Sequence, residues 1–536
     1  MGKRGLVAAA KLNWAMPDKR PFSRSYLFLT VFVAGMSTLA IEFTTSRMLQ
    51  TVYGTSNLVW ANVIGLVLLF LTLGYFLGGR LADKRPFPPT FYLLVTAAGF
   101  ASVFCLLLTS VILKTAASAM AAINVGALVS SLVAVVVALA VPITLLGCIS
   151  PFAIRLAVTD VAEAGRISGR IYAISTWGSL LGTYLPVLVV IPTAGSRLTA
   201  VLFGGLLLIV GLVGYWQTAT RGHIALLLLP LLLVPAVLGW TRGGIKAYEG
   251  QIFETESPYN YVQVVRSGDC NYLLLNEGQG IHSFYCDGGR VPRVSVWSIM
   301  LAAPYFNEEP AINNMAVIGL AAGTIPKQFT QVFGPIPIDG IELDPAIVAA
   351  GRDYFGLTEP NINIIVGDGR YELNRLNGRY DLITLDAYKV PYIPWHLTTR
   401  EFFAEVKAHL SERGVVAINV GRAPNDRRLV DAMAATLRQV FPSIYAIDVP
   451  GSLNTILLAT VGETTAVNLA THLATLPADT DPLLRSAIEV AADNLVPVGS
   501  SDIIFTDERA PVETIVDTLV IRYLLQEGAA GLPGIQ

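Results

Sequence analysis

Four short stretches in the second half of the chain hold residue types that can bind a nucleoside and move a proton. Gly319-Leu-Ala-Ala-Gly323 closes the apolar run Met315–Gly319, and a glycine turn there brings backbone close to a ligand or packs a helix on a strand. Glu342 ends the run Ile338–Glu342, 23 residues after Gly319, near the spacing at which a carboxylate meets ribose hydroxyls. Asp368-Gly369 follows Ile362–Val366, where a carboxylate can accept from an adenine amino group, and Asp386 follows Tyr380–Leu385, facing a reacting centre. One such carboxylate is as well explained by helix capping. Three at successive strand ends, beside a glycine turn, point to an adenosyl-type nucleoside.

The elements that place these residues alternate. Helices are expected at Pro326–Phe333 and Pro345–Tyr354, and further strands at Val415–Val420 and Thr455–Thr460. Alternation of this kind predicts an α/β doubly wound, Rossmann-like, mostly parallel sheet with its ligand at the carboxyl ends of the strands. Upstream, Tyr259–Arg266, Asn271–Asn276 and Gly280–Tyr285 read as strands, the last two joined by a turn at Glu277-Gly278. Cys270 and Cys286 lie eight residues either side of Gly278. A hairpin turning there sets the two thiols opposite each other, within reach of a disulfide; a shifted register leaves them unrelated. A disulfide would require an oxidising compartment.

The first half is a different object. The 536 residues are 53% hydrophobic and 14% charged, with a mean hydropathy of +0.57, which excludes an ordinary soluble enzyme and a disordered chain. Of 37 basic residues 18 precede Gly250, and of 39 acidic residues only 6 do, so the net charge of −2 averages a basic half and an acidic half. Seven apolar runs approach the length that spans a bilayer: Tyr26–Leu49, Leu58–Leu77, Phe91–Leu113, Val125–Ile149, Ile171–Ile191, Leu198–Trp216 and Ile224–Trp240. Basic residues crowd the N-terminal segment and the even-numbered loops, so the N-terminus is expected in the cytoplasm and, with an odd number of spans, the C-terminal domain outside. Pro151–Gly169 is polar enough for a cytoplasmic loop, with room in it for a helix lying on the membrane. Glu42 lies inside the first run, either as structural glue or as part of a transport path, and Arg47 is expected to reach for the membrane surface. No strong basic patch points to nucleic acid.

The runs Val317-Ile-Gly-Leu-Ala-Ala-Gly323, Gly340-Ile-Glu-Leu-Asp-Pro345, Val366-Gly-Asp-Gly-Arg370 and Tyr380-Asp-Leu-Ile-Thr-Leu-Asp386 resemble the spermidine synthase (polyamine aminopropyltransferase) family. Glu256-Ser-Pro-Tyr259, Leu273–Gln279 and Thr506–Glu513 extend the likeness, and the whole chain looks like the membrane-fused branch. The resemblance implies a methyltransferase-type α/β sheet over 313–525, a β-hairpin subdomain over 248–312, a membrane domain over 26–242 and a basic N-terminal segment over 1–25. It implies decarboxylated S-adenosylmethionine as co-substrate and an amine as acceptor, with no tightly bound cofactor and no metal. Glu342 would then hold ribose, Asp368 and Gly369 the adenine side, Gly319 and Gly323 the nucleotide turn, Asn260 and Gln279 the donor, and Asp386 would accept the proton. Departures gather on the amine side. Ala322 stands where a substrate-gripping Asp is usual, Val296-Trp297-Ser298 replaces Tyr-His-Glu, Asn260 replaces a Gln, and Asp386-Ala-Tyr-Lys389 puts a cation where a second acid is expected. His396 is either a turn residue or a base. These departures leave room for two other readings, a noncatalytic nucleoside- or polyamine-binding module and a transporter with a regulatory domain. The lipid bilayer is the one expected macroscopic partner, and self-association stays open.

Overall fold

A computed structural model of the chain describes residues 23–53, 57–120, 127–219, 248–276, 280–289, 292, 294–389 and 392–527. The apolar runs of the first half form helices, the one open-ended element that satisfies every backbone donor and acceptor within itself. These are α1 (Arg24–Tyr53), α2 (Asn57–Lys84), α3 (Pro88–Met120), α4 (Ala127–Ala157), α5 (Ala164–Leu185) and α6 (Ile191–Thr218). Small residues let them approach closely. A Cβ on Gly74 of α2, for instance, would stand 2.3 Å from the carbonyl oxygen of Thr144 in α4.

Among the described residues, five segments are long and apolar enough to cross a membrane. Two of the expected runs lie in one of them, because α5 passes through a π turn at Pro186–Val190 directly into α6, without a loop. Straight, this 58-residue segment would measure about 87 Å, far more than the roughly 30 Å of a hydrocarbon core. It folds back at Gly195, where φ is +76°. Gly178 and Gly182 of α5 rest on Phe32 and Met36, so α5 runs parallel to α1. Tyr26 donates to the Val210 carbonyl (2.7 Å) and Ser37 to that of Phe203 (3.0 Å), so α6 runs antiparallel. The last expected run, Ile224–Trp240, lies outside the described residues. The expected loop Pro151–Gly169 is also mostly helix. Its polar groups are carried on helix ends and a short 3-10 turn: Arg155 pairs with Asp83 of α2 (3.4 Å), and Asp160 caps the turn Val161–Glu163.

The second half begins with an antiparallel sheet of β1 (Gln251–Glu256), β2 (Tyr261–Ser267), β3 (Cys270–Leu275) and β4 (Ile281–Cys286). Cys270 pairs with Cys286 across β3 and β4, and the two form a disulfide. The large sheet contains β5 (Met315–Ile318), β6 (Ile338–Glu342), β7 (Ile362–Val366), β8 (Tyr380–Leu385), β9 (Leu410–Gly421), β10 (Ser443–Asp448), β11 (Asn454–Thr460) and β12 (Leu495–Val496) in the order β12-β10-β11-β9-β8-β5-β6-β7. From β9 to β7 the neighbours are parallel; β10, β11 and β12 add an antiparallel flank. The chain leaves β5 for β6 and β7 on one side and returns to β8 on the other. The switch point between β5 and β8 is therefore where a crevice opens. Helices α7 (Thr324–Phe333), α8 (Pro345–Tyr354), α9 (Gly369–Leu373) and α10 (Arg400–Ala408) are the crossovers that matter to it.

The two halves meet at one end of the bundle. Arg47 of α1 donates to the carbonyls of Pro258 (2.9 Å) and Ser257, and Glu256 accepts from the Ser196 amide and hydroxyl (2.7 Å each) beside the α5–α6 fold. Arg24 is at the other end of α1, bonded to Thr159 (3.3 Å). The remaining two cysteines, Cys105 and Cys148, are buried free thiols. The denatured, unreduced chain should accept two thiol labels and the reduced chain four, as read by intact mass. Four labels before reduction would contradict the disulfide.

Candidate active site at the carboxyl ends of the sheet

Where β5 ends, two backbones nearly touch. Gly319 adopts φ +88°, and a Cβ on it would stand 2.6 Å from the carbonyl carbon and oxygen of Asp386. The Asp386 amide donates to the Ile318 carbonyl (2.9 Å), which holds the two strand exits at that distance. Only glycine meets both demands. Ala321, two residues on, is left-handed at φ +49°, which costs a residue with a Cβ about 1–2 kcal/mol. Its N–H donates to Oε2 of Glu342 (2.8 Å), and Oε1 accepts from the Asp344 amide (3.0 Å). Net, such hydrogen bonds contribute about 0.5–1.5 kcal/mol each, and two of them offset the cost of the turn. Glu342 is 8% exposed, and its burial pushes the carboxyl up to about 7 even with two amides donating to it.

Asp368 is the N-cap of α9. Its Oδ1 accepts from the amides of Arg370 and Tyr371 (3.1 and 3.0 Å), and its Oδ2 is 2.9 Å from Nε2 of His396. Capping and the hydrogen bond with His396 thus occupy the carboxylate. Gly369 begins the helix, with room for no Cβ against Ile318. Arg370 clamps α9 in place with its fork on Glu405 of α10 (2.6 and 2.9 Å) and Asp507 (2.8 and 2.9 Å). Those two carboxylates hold its guanidinium above the ordinary arginine range.

Asp386 is set between two donors. Nε1 of Trp297 donates to Oδ2 (2.8 Å) and the Asn419 amide to Oδ1 (2.9 Å). Burial raises the carboxyl to about 6 against the downward pull of these two bonds. Asn260 donates to Asp344 (2.9 Å) and accepts from Asn276 (2.8 Å), while Gln279 lies outside the described residues.

A cavity of ≈ 530 Å³ joins these groups, within the size range of small-molecule sites. Gly319, Glu342, Asp368, Gly369, Asp386 and Asn260 line it. Gly323 does not. It starts α7 behind the wall, at φ +92°, where a Cβ would strike Leu357. Three groups escape a reading of motifs. Trp297 sets Asp386 from 89 residues away. His282 of β4 lines the cavity, its buried Nε2 has no hydrogen-bond partner among the described residues, and burial lowers it to about 4, so it is a neutral imidazole open to a ligand. The third is a face of α1, formed by Phe43, Ser46, Arg47 and Gln50, whose i, i+3, i+4, i+7 spacing is visible in the sequence though its target is not.

Residues 307–471 match the spermine/spermidine synthase domain family. They form a spermine/spermidine synthase domain. A "probable polyamine aminopropyl transferase" of Bifidobacterium longum is 29% identical over 285 residues, covering 50% of this chain and 62% of that protein. A polyamine aminopropyltransferase of Vibrio vulnificus is 35% identical over 154 residues, 28% of this chain and 50% of that one. The chain thus spans less than two thirds of either relative's length. Among solved structures, a probable spermidine synthase from Corynebacterium glutamicum is similar with a TM-score of 0.37 and 18% identity, over 48% of this chain and 99% of that one. In the synthase domain here, Ala322 is buried with its amide on Ser283 (3.0 Å), and Lys389 lines the cavity.

Glu342→Gln leaves one of the two amides without an acceptor and should cost about 1–3 kcal/mol, read as a lower unfolding midpoint. The folded carboxyl is raised above its unfolded value, so its contribution is complete below the unfolded value and is lost as pH rises through about 7. The gap between wild type and variant should therefore be widest in acid and narrow through neutrality. An equal midpoint at all pH values would contradict this role.

Proposed function

We propose that the chain is a membrane-bound aminopropyltransferase that takes the aminopropyl group from decarboxylated S-adenosylmethionine and passes it to an amine. The observation that carries this reading is the meeting of the Gly319 turn, Glu342 and Asp386 in one cavity at the switch point. Glu342 faces the ribose, the Asp368–Gly369 corner flanks the base, and Asp386 stands beside the turn where the reacting carbon must lie. A neutral amine nitrogen attacks the aminopropyl carbon bonded to sulfur. The carbon–sulfur bond breaks with its electron pair going to sulfur, methylthioadenosine leaves uncharged, and the new ammonium gives its proton to Asp386. Trp297 and Asn419 aim that carboxylate without protonating it, and both bonds favour its ionised form.

The basic N-terminus favours a cytoplasmic side for Arg24 and, since the α/β domain docks at the opposite end of α1, the other side for that domain. The disulfide supports that placement, since it persists in oxidising compartments. The same placement favours one second reading, a nucleoside-binding module without turnover, because it separates the cavity from a cytosolic donor pool.

Asp386→Asn should lower methylthioadenosine release by about 10²–10⁴-fold, while methylthioadenosine still binds in calorimetry. Binding without release in the wild type as well would favour the second reading. Below the amine's own titration, the wild-type rate should fall as pH drops through about 6, where Asp386 takes up a proton. Trp297→Phe removes a donor to the carboxylate, so this limb should move to higher pH; an unmoved limb would detach Asp386 from the rate.

A further inference from the structure

One wall of the cavity is not part of the synthase domain. Phe43, Ser46, Arg47 and Gln50 of α1, Trp60 of α2, and Val187 and Ile191 at the π turn close it from the side of the helical bundle. The α1 residues form a single helical face at the end of an otherwise apolar helix, a face that would be costly to turn towards lipid. The π turn shows the opposite character on its outer side, where Leu188 and Val189 are 69% and 50% exposed. The cavity therefore lies at the level where the apolar helices end, with nucleoside groups on one side and a mixed apolar and cationic wall on the other.

The charges in that wall exclude one kind of acceptor and fit another. Arg47 and Lys389 both line the cavity, whereas its carboxylates are Glu342, Asp368 and Asp386. Glu342, held by the turn amides, faces the ribose, Asp368 is held by its helix cap and His396, and Asp386 takes the proton, so no lining acid is left over to hold the far ammonium of a polyamine. A second cation on the acceptor would meet Arg47 or Lys389. An anionic group beside the amine would be attracted by the same two residues, and an apolar body would pack on Phe43, Trp60, Val187 and Ile191.

Resting on the transferase reading above, we propose that the acceptor is a lipid-borne primary amine next to an anionic group, the head-group chemistry of an aminophospholipid, which reaches Asp386 from the bilayer side of the cavity. The apolar tails stay with the bundle, the anion meets Arg47 and Lys389, and the single amine lies at the reacting carbon. Its nitrogen gains the aminopropyl carbon and loses a proton to Asp386, and methylthioadenosine leaves.

The test uses the full chain in nanodiscs supplied with decarboxylated S-adenosylmethionine. One set contains phosphatidylethanolamine, a second phosphatidylcholine alone, and a third phosphatidylcholine with a soluble diamine. Methylthioadenosine release is measured together with the lipid masses. Release only in the first set, with phosphatidylethanolamine heavier by one aminopropyl unit, is the expected result. Release with the soluble diamine and no lipid product would overturn the lipid acceptor while keeping the transferase. No release in any set, with methylthioadenosine still binding, would overturn the transferase reading and this one with it. Lys389→Ala should raise the KM for lipid about tenfold and leave methylthioadenosine binding unchanged, and Arg47→Gln should do the same if the domains still dock. A Lys389→Ala enzyme with unaltered lipid KM would contradict the anion contact.

Discussion

The contact on which the site depends is the approach of two strand exits at the switch point. Ile318 accepts from the Asp386 amide, and Gly319 passes so close to the Asp386 carbonyl that no side chain fits between them. From this one hydrogen bond the rest follows in order. It fixes where the turn 319–323 begins, the turn's left-handed Ala321 requires an acceptor, and Glu342 at the end of the adjacent strand supplies it. The same bond sets Asp386 under Trp297 and Asn419, so the glycine turn and this carboxylate are positioned together.

Much of this was legible because the signals are local. Strands of apolar and β-branched residues ending in Gly, Glu or Asp can be recognised one at a time, and β6, α8, β7 and β8 have the expected ends. The facing cysteines followed from symmetry about one turn. What was not legible depended on distant partners. Asp368 looked free to take an adenine amino group, but the fold brings His396 to one oxygen and two amides to the other. Trp297 looked like a lost polar residue, and its indole N–H proves to hold Asp386. The antiparallel flank was missed because β10, like any strand, shows no direction in its own sequence. Two of the expected apolar runs form one continuous segment because a π turn and a glycine break join what composition alone separates.

The helical domain is more than an anchor for the synthase domain. Arg47 was expected to reach for the membrane surface; its guanidinium is bonded to the carbonyls of Ser257 and Pro258, which lead into the hairpin. Glu256, one residue earlier, is fastened to the α5–α6 fold. With three consecutive residues of one strand exit tied to two helices, the hairpin that covers the cavity cannot shift without disturbing the bundle. Coupling of this kind gives the helical bundle a direct hold on the residues that line the site.

The proposed function requires an adenosyl nucleoside to bind between the Gly319 turn and Asp386, with its reacting end towards α1. A structure of the full chain determined with methylthioadenosine tests it most directly. The account predicts the ribose hydroxyls on Glu342 and the sulfur between Asp386 and the α1 face of Phe43 and Arg47. A nucleoside bound elsewhere, or with its sulfur turned away from Asp386, would contradict it.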